Sequence, residues 1–258
     1  MSKESNMTAL LPKLEKPIFR QRLVAFTGAG VSAESGLATF RDNGGLWKMT
    51  DVMSVATPQA FDKNPQYVLD FYNNLRVQLA EAVPNDAHIL LSELQKWHDV
   101  IIITQNIDNL HERAGSNDVI HLHGELTKVT SSVNRLDKEC IMEWQPNEPV
   151  KIGDLANDGS QLRPYVTWFG EYLSSDEVEV AKNALREADI LLVIGTSLKV
   201  FPASQMWKYT QSEIPKYLID PNFETNDVPE GFSFINDVAT SGMRTFVQEL
   251  IKLNEPYS

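Results

Sequence analysis

The chain has 258 residues, with 23 Lys+Arg against 35 Asp+Glu and a net charge of −12. That acidic balance disfavours nonspecific nucleic-acid binding, which needs a basic face, and no apolar run approaches the roughly 20 residues of a membrane span. A hydrophobic content of 42% supports a real core, and the length suits one large domain or one domain carrying an insertion.

The opening residues are polar and lack the apolar stretch of a signal peptide. The lone cysteine, Cys140, excludes an intramolecular disulfide and every multi-thiolate metal site. Both point to a cytoplasmic protein. Nothing in the sequence fixes an oligomeric state.

The first strong apolar run, 23–26, reads as a buried strand. A loop region, about 36–57, follows it. The spacing of Val68, Phe71, Tyr72, Leu75 and Leu79 predicts a helix over 65–82, and Leu90, Leu91 and Leu94 predict another over 86–97. Residues 100–103 form a second strong strand and 119–121 a weaker one. From 124 to 165 the alternation breaks, which predicts a small inserted module with short strands. A weak strand is expected at 166–169, a helix at 175–188 and a third strong strand at 190–194. Strands at 217–219 and 232–235 and a helix at 240–253 complete the chain. Strands alternating with helices imply an α/β fold, a Rossmann-like parallel sheet with helices on both faces. Residues 16–123 and 166–253 would form it, with 124–165 inserted.

In such sheets ligands bind beyond the carboxyl ends of the strands. Gly28-Ala29-Gly30 follows the first strand, where glycines let the backbone approach a phosphate closely and a helix starting near Val31 would face it. A plain strand-to-helix turn is the alternative. Ala33 stands where the usual dinucleotide fingerprint has its third glycine. In the loop beyond, Gly44-Gly45 beside Phe40, Arg41 and Trp47 suggests a segment that folds over a ligand. Thr104-Gln105-Asn106-Ile107-Asp108 follows the second strong strand, with amides suited to ribose hydroxyls and a carboxamide, or simply to helix capping. His121 and His123 would face one side of a strand. Gly195-Thr196-Ser197 is a third small polar turn.

Together with Thr39-Phe40-Arg41, His121-Leu122-His123-Gly124 and Trp168-Phe169-Gly170-Glu171, these segments resemble the signature motifs of the sirtuins, NAD-dependent protein lysine deacylases. The likeness is greatest to the bacterial branch related to mitochondrial desuccinylases. The resemblance implies that Gly28, Ala29 and Gly30, with Ser32 and Ala33, hold the pyrophosphate of NAD. It implies that Phe40, Arg41 and Trp47 close over the nicotinamide ribose. Asn106, Ile107 and Asp108 would surround the nicotinamide, Gln105 the ribose hydroxyls, and Gly195, Thr196 and Ser197 the adenosine. Asp220, Pro221 and Asn222 would meet the adenine ribose and Ala239 the adenine. His123 would be the general base, with Asn106 beside it. An acylated-lysine peptide would lie as an added strand against Val166, Trp168, Phe169, Gly170, Glu171 and Val200.

Two departures from the family stand out. The family usually carries four zinc-binding cysteines in the insertion, and this chain has only Cys140 there, so no zinc or other metal site is expected. Packing of Ile141, Met142, Trp144, Val150, Ile152 and Leu155 would hold the module instead. The desuccinylase branch carries Tyr-x-x-Arg on the helix lining the acyl pocket. Here Tyr72 matches, Leu75 stands at the arginine position, and Arg76 is one residue late, about 100° around the helix. A deacetylase is therefore favoured over a desuccinylase, with Tyr72, Leu75 and Arg76 in the acyl pocket. An ADP-ribosyltransferase or NAD glycohydrolase and a silent NAD-binding module are the competing readings.

Overall fold

The computed structural model describes residues 20–37 and 51–254. Six parallel strands form one sheet in the order β3-β2-β1-β7-β8-β9. They are β1 (Arg22–Thr27), β2 (Asp99–Thr104), β3 (Val119–His121), β7 (Ile190–Ile194), β8 (Lys216–Ile219) and β9 (Phe232–Ile235). The order runs outward from β1 in one direction and from β7 in the other. Connections therefore leave β1 and β7 to opposite sides, and a crevice opens at their carboxyl ends.

Side chains alternate across the strands. Leu23 and Ala25 on β1 face Leu90, Leu91 and Leu94 of α4 (Asp86–Leu94) and Met243, Phe246 and Leu250 of α7 (Ala239–Asn254). Val24 and Phe26 face the other layer, where Ala181, Ala184 and Leu185 of α6 (Ser175–Arg186) and Met206 of a 3₁₀ segment pack. The remaining helices are α1 (Gly30–Ala33), α2 (Pro58–Lys63), α3 (Pro65–Glu81) and α5 (Leu110–Arg113). Asn64 and Asn85 start α3 and α4 by accepting the N–H groups of Tyr67 and Ala87.

The inserted region carries a second, antiparallel sheet in the order β5-β4-β6, made of β4 (Gly124–Ser131), β5 (Met142–Glu143) and β6 (Leu162–Val166). It shares an apolar cluster with α2 and α3, in which Leu126, Val129, Cys140, Val150 and Leu162 meet Val68, Leu69 and Tyr72. Ile152 and Leu155, expected to pack the module, are 51% and 59% exposed and do not. Polar ties complete the docking. Asn73 of α3 donates to the Val150 carbonyl at 2.9 Å and accepts the Val150 N–H at 3.0 Å, replacing a backbone partner in both directions. Ser131, at the end of β4, donates to Asp158 at 2.6 Å and accepts the N–H groups of Val133 and Asn134.

The strand expected at 166–169 ends at Val166. Trp168 cannot extend the ladder, because its N–H donates to the Glu171 carboxylate at 2.7 Å and its carbonyl accepts the Glu171 N–H. Gly170, at φ +90°, closes the turn. The helix near Val31 is a single turn, Gly30–Ala33, so its dipole is small.

Candidate active site

Three glycines fit the ends of β1 and β7 together. A Cβ on Gly28 would lie 2.6 Å from the Thr196 Cβ, and one on Gly30 would lie 2.7 Å from the Gly195 Cα. Gly195 has φ +64°, and a Cβ there would meet the Val31 nitrogen at 2.3 Å. The N–H groups of Gly28 and Gly30 donate across the seam to the Ile194 and Gly195 carbonyls at 3.1 and 2.8 Å. These glycines thus serve the close contact between the two turns, and those two N–H groups are spent on it. Gln105 spans the seam, its amide donating to the Thr196 hydroxyl at 3.0 Å. Asp220, Pro221 and Asn222 lie just beyond β8, with the Asn222 N–H on the Asp220 carboxylate at 2.8 Å. Ala239, the first residue of α7, is buried. The crevice is therefore edged by the turns after β1, β2, β7 and β8.

Beneath the first turn lies a buried polar cluster. Ser32 donates to Asp108 at 3.0 Å and accepts from the Asn106 amide at 3.2 Å. The Ser32 side chain therefore faces the 106–108 turn, while Ala33 ends the helix above it. Burial raises the Asp108 pKa, against the Leu110 N–H and Ser32 hydroxyl that favour its charge. His88 stands 3.3 Å from the Ser32 oxygen, and burial lowers its pKa to about 4. His111 contacts the Thr27 hydroxyl at 3.1 Å, and that hydroxyl donates to Thr104 at 2.8 Å. Sequence reasoning gave His88, His111 and Thr27 no role. The only signal was polar residues at positions that the helix and strand patterns bury.

The two histidines of the His-Leu-His segment part company. β3 ends at His121, so His123 lies past the strand and does not share its face. His121 is buried, with Nδ1 on the Asn106 carbonyl at 3.1 Å and Nε2 on Glu112 at 2.7 Å. Burial opposes its charge, but Glu112, with Glu125 and the Asn106 carbonyl, outweighs burial and raises its pKa. His123 donates Nδ1–H to the Gln105 carbonyl at 2.8 Å. A carbonyl only accepts, so this bond fixes the neutral tautomer with the lone pair on Nε2. Burial lowers the His123 pKa, and Arg135 adds to the effect against the Gln105 bond. The result is a neutral imidazole with a basic Nε2, anchored to the 104–108 turn.

A wall stands beside His123. The Thr167 N–H donates to the His123 carbonyl at 2.8 Å and the Phe169 N–H to the Ala56 carbonyl at 2.9 Å. Trp168 donates its indole N–H to the Tyr72 hydroxyl at 2.9 Å. Tyr72, Leu75, Ile107, Val166 and Trp168 share one apolar cluster, and Phe169 is 40% exposed. Val200 is half-buried, its carbonyl accepting the Ser204 N–H at 2.8 Å.

Two residues expected to meet substrate do not face this cluster. Arg76 turns toward the inserted sheet. It donates Nε to the Leu126 carbonyl at 2.9 Å and a terminal nitrogen to Asn73 at 3.0 Å, and it lines a separate cavity of about 270 Å³ with Leu79, Asn109 and Arg113. The extra residue of rotation relative to Leu75 carries it there. Burial without a carboxylate partner lowers its pKa to about 10. Glu171 points inward, both oxygens taken by Arg163 at 2.6 and 3.1 Å. Phe40, Arg41 and Trp47 lie outside the described residues.

The sequence profile described as the Sir2 family matches residues 28–202. A Bacteroides thetaiotaomicron protein named NAD-dependent protein deacylase is 47% identical over 90% of this chain and 98% of its own. A Helicobacter pylori protein of the same name is 45% identical over 90% of this chain and 97% of its own. Among solved structures, a Sir2 homolog–NAD complex superposes with a TM-score of 0.78 at 37% identity, covering 91% of each chain. A Sir2 complex with an inhibitor, 2′-O-acetyl-ADP-ribose and a deacetylated peptide gives a TM-score of 0.68 at 28% identity over 88% of this chain and 93% of that one.

The geometry separates the two histidines by titration. Proton NMR should show the His123 ring titrating below the ordinary imidazole value of about 6.5 and the His121 ring above it. The opposite order would contradict the assignment of the neutral, basic nitrogen to His123.

Proposed function

The chain belongs to the Sir2 family, and we propose that it moves short, uncharged acyl groups from protein lysines onto the ADP-ribose of NAD, releasing nicotinamide. Its activity is NAD-dependent protein lysine deacylation, in keeping with relatives named NAD-dependent protein deacylase. The observation that carries the reading is His123, neutral, with Nδ1 held by the Gln105 carbonyl.

The residues present fit NAD. The turns after β1 and β7 that edge the crevice meet backbone to backbone at Gly28, Gly30 and Gly195, where any Cβ would strike the facing turn. Gly28, Ala29 and Gly30 would hold the pyrophosphate, and Gly195, Thr196 and Ser197 with Asp220, Pro221, Asn222 and Ala239 the adenosine. Asn106, Ile107 and Asp108 would surround the nicotinamide, positioned from below by Ser32. Gln105 would meet the ribose hydroxyls, and Phe40, Arg41 and Trp47 would close over the site. NAD supplies an electrophilic ribose carbon and a leaving group. His123 Nε2 would accept a proton from a ribose hydroxyl, a task suited to an imidazole that stays neutral near pH 7. Trp168 and its apolar neighbours keep competing water away.

The acyl preference follows from charge. A succinyl carboxylate in an apolar channel costs several kcal/mol unless a cation pairs with it. Leu75 supplies none. Arg76 is held by Leu126 and Asn73, and Arg163 is neutralised by Glu171. An acetyl-lysine peptide should therefore be turned over with kcat/KM at least about tenfold above its succinyl counterpart. His123→Ala should lower acetyl turnover by at least about 10²-fold while NAD still binds. A succinyl preference abolished by Arg76→Ala would overturn the acyl assignment, and near-normal turnover in His123→Ala would overturn the base.

The inserted sheet is proposed to stand without zinc. Among the described residues no group of three or more His, Cys, Asp or Glu could hold a metal ion. Hydrogen bonds occupy Ser131, Asp158 and Ser160, at 2.6 Å between Ser131 and Asp158. Protein purified without a metal-binding tag should carry well under one zinc per chain and keep its melting temperature in chelator. A stoichiometric zinc whose removal unfolds the protein would contradict this.

A further inference from the structure

Glu171 sits where a substrate-binding carboxylate would be expected, yet its side chain is only 16% exposed and its oxygens meet protein. Arg163, in β6, grips it as a fork, with contacts of 2.6 Å to one oxygen and 3.1 Å to the other. Arg135, from the turn after β4, approaches the second oxygen at 3.5 Å. That oxygen also accepts the Trp168 N–H at 2.7 Å. The arginine side chains are 3% and 6% exposed. Both arginines are also tied to the chain around the turn. Arg163 donates to the Val166 carbonyl at 2.8 Å, and its guanidinium carbon lies 3.3 Å from the centre of the Trp168 ring. Arg135 donates to the Tyr172 carbonyl at 2.8 Å.

We propose that Glu171 is a positioning residue through which the inserted sheet sets the acyl-lysine wall of the active site. The proposal rests on the reading of residues 166–171 as that wall. A bidentate carboxylate–guanidinium pair fixes both distance and plane. Here the Arg163 guanidinium also lies over the Trp168 ring, whose indole N–H donates to Tyr72 on α3. The opposite end of the same segment holds the His123 carbonyl through Thr167. Movement at Glu171 therefore reaches the apolar cluster around Tyr72 before anything else in the site. The glycine seam lies on other elements, the turns after β1 and β7, and has no bond to this cluster among the described residues.

This arrangement predicts a division between the two substrates. Glu171→Gln leaves a neutral amide that can keep the Trp168 bond but leaves both buried arginines without the carboxylate they share. The Kd of an acetyl-lysine peptide should rise at least tenfold, while the Kd of NAD stays within about twofold. Arg163→Lys keeps the charge without the fork or the stacked plane, and it should weaken peptide binding in the same way. A role in stability alone would lower the melting temperature yet leave peptide affinity unchanged in protein that is folded at the assay temperature.

The test measures both dissociation constants by titration calorimetry on wild type, Glu171→Gln, Arg163→Lys and Arg135→Gln, with folding checked by circular dichroism. Arg135→Gln loses the longer contact, the Tyr172 bond, the Tyr165 ring contact and the charge that helps lower the His123 pKa, and it decides the matter if the other two do not fold; it should raise the peptide Kd about threefold. Selective loss of peptide affinity supports the clamp. Unchanged peptide affinity in folded variants, or equal loss for NAD and peptide, overturns it. A wild-type protein that ignores the acetyl-lysine peptide would remove the functional reading itself and the clamp's role with it, a failure visible before any variant is compared.

Discussion

The site depends on the contact between two strand-end turns that approach more closely than side chains allow. Gly28 and Gly30 meet Gly195 so tightly that a methyl group on any of them would sit within 2.8 Å of a heavy atom across the seam. That contact brings the turn after β1 against the turn after β7, at the point where the sheet order reverses. Everything chemical is arranged around it. Gln105 reaches across to Thr196, and the carbonyl of Gln105 in turn fixes the tautomer of His123. Ser32, one residue past Val31 on the first turn, holds Asn106 and Asp108 from beneath. A side chain added at the seam would push apart groups that have no direct contact with it.

The inserted sheet is held to α3 and to its own turns by many weak ties. Each hydrogen bond contributes only about 1 kcal/mol net, so several must act together. Asn73 imitates a strand backbone toward Val150, and Ser131 ties the end of β4 to Asp158. The hydrogen bonds from Ser131 and Ser160 hold the Asp158 carboxyl below the usual range, so it stays charged at neutral pH. Arg163 and Arg135 then tie the sheet to the 168–171 turn through Glu171. An ion cluster buried this deeply is costly to form but costlier to break at one member.

The parallel sheet was legible because Leu23–Phe26, Val100–Ile103 and Ile190–Ile194 are short, continuous apolar runs of the kind that only a strand covered on both faces permits. The turns that follow them were legible as sites because small polar residues there have little structural reason to be small. What was not legible depended on direction. Nothing in Phe71-Tyr72-Asn73-Asn74-Leu75-Arg76 says that Arg76 caps the Leu126 carbonyl, since a helix position fixes an angle but not a partner. Val166 to Phe169 looked like a strand because the competing partner of the Trp168 N–H, a carboxylate three residues ahead, is a tertiary choice. The inward turn of Glu171 required Arg163, eight residues earlier, and single-sequence patterns do not pair charges across a bend.

The account stands most directly on what happens to the acyl group. Incubated with NAD and an acetyl-lysine peptide, the protein should yield nicotinamide, deacetylated peptide and acetylated ADP-ribose in equal amounts by mass spectrometry. Free ADP-ribose formed at the same rate without peptide, or ADP-ribose attached to protein in place of the acetylated product, would contradict it.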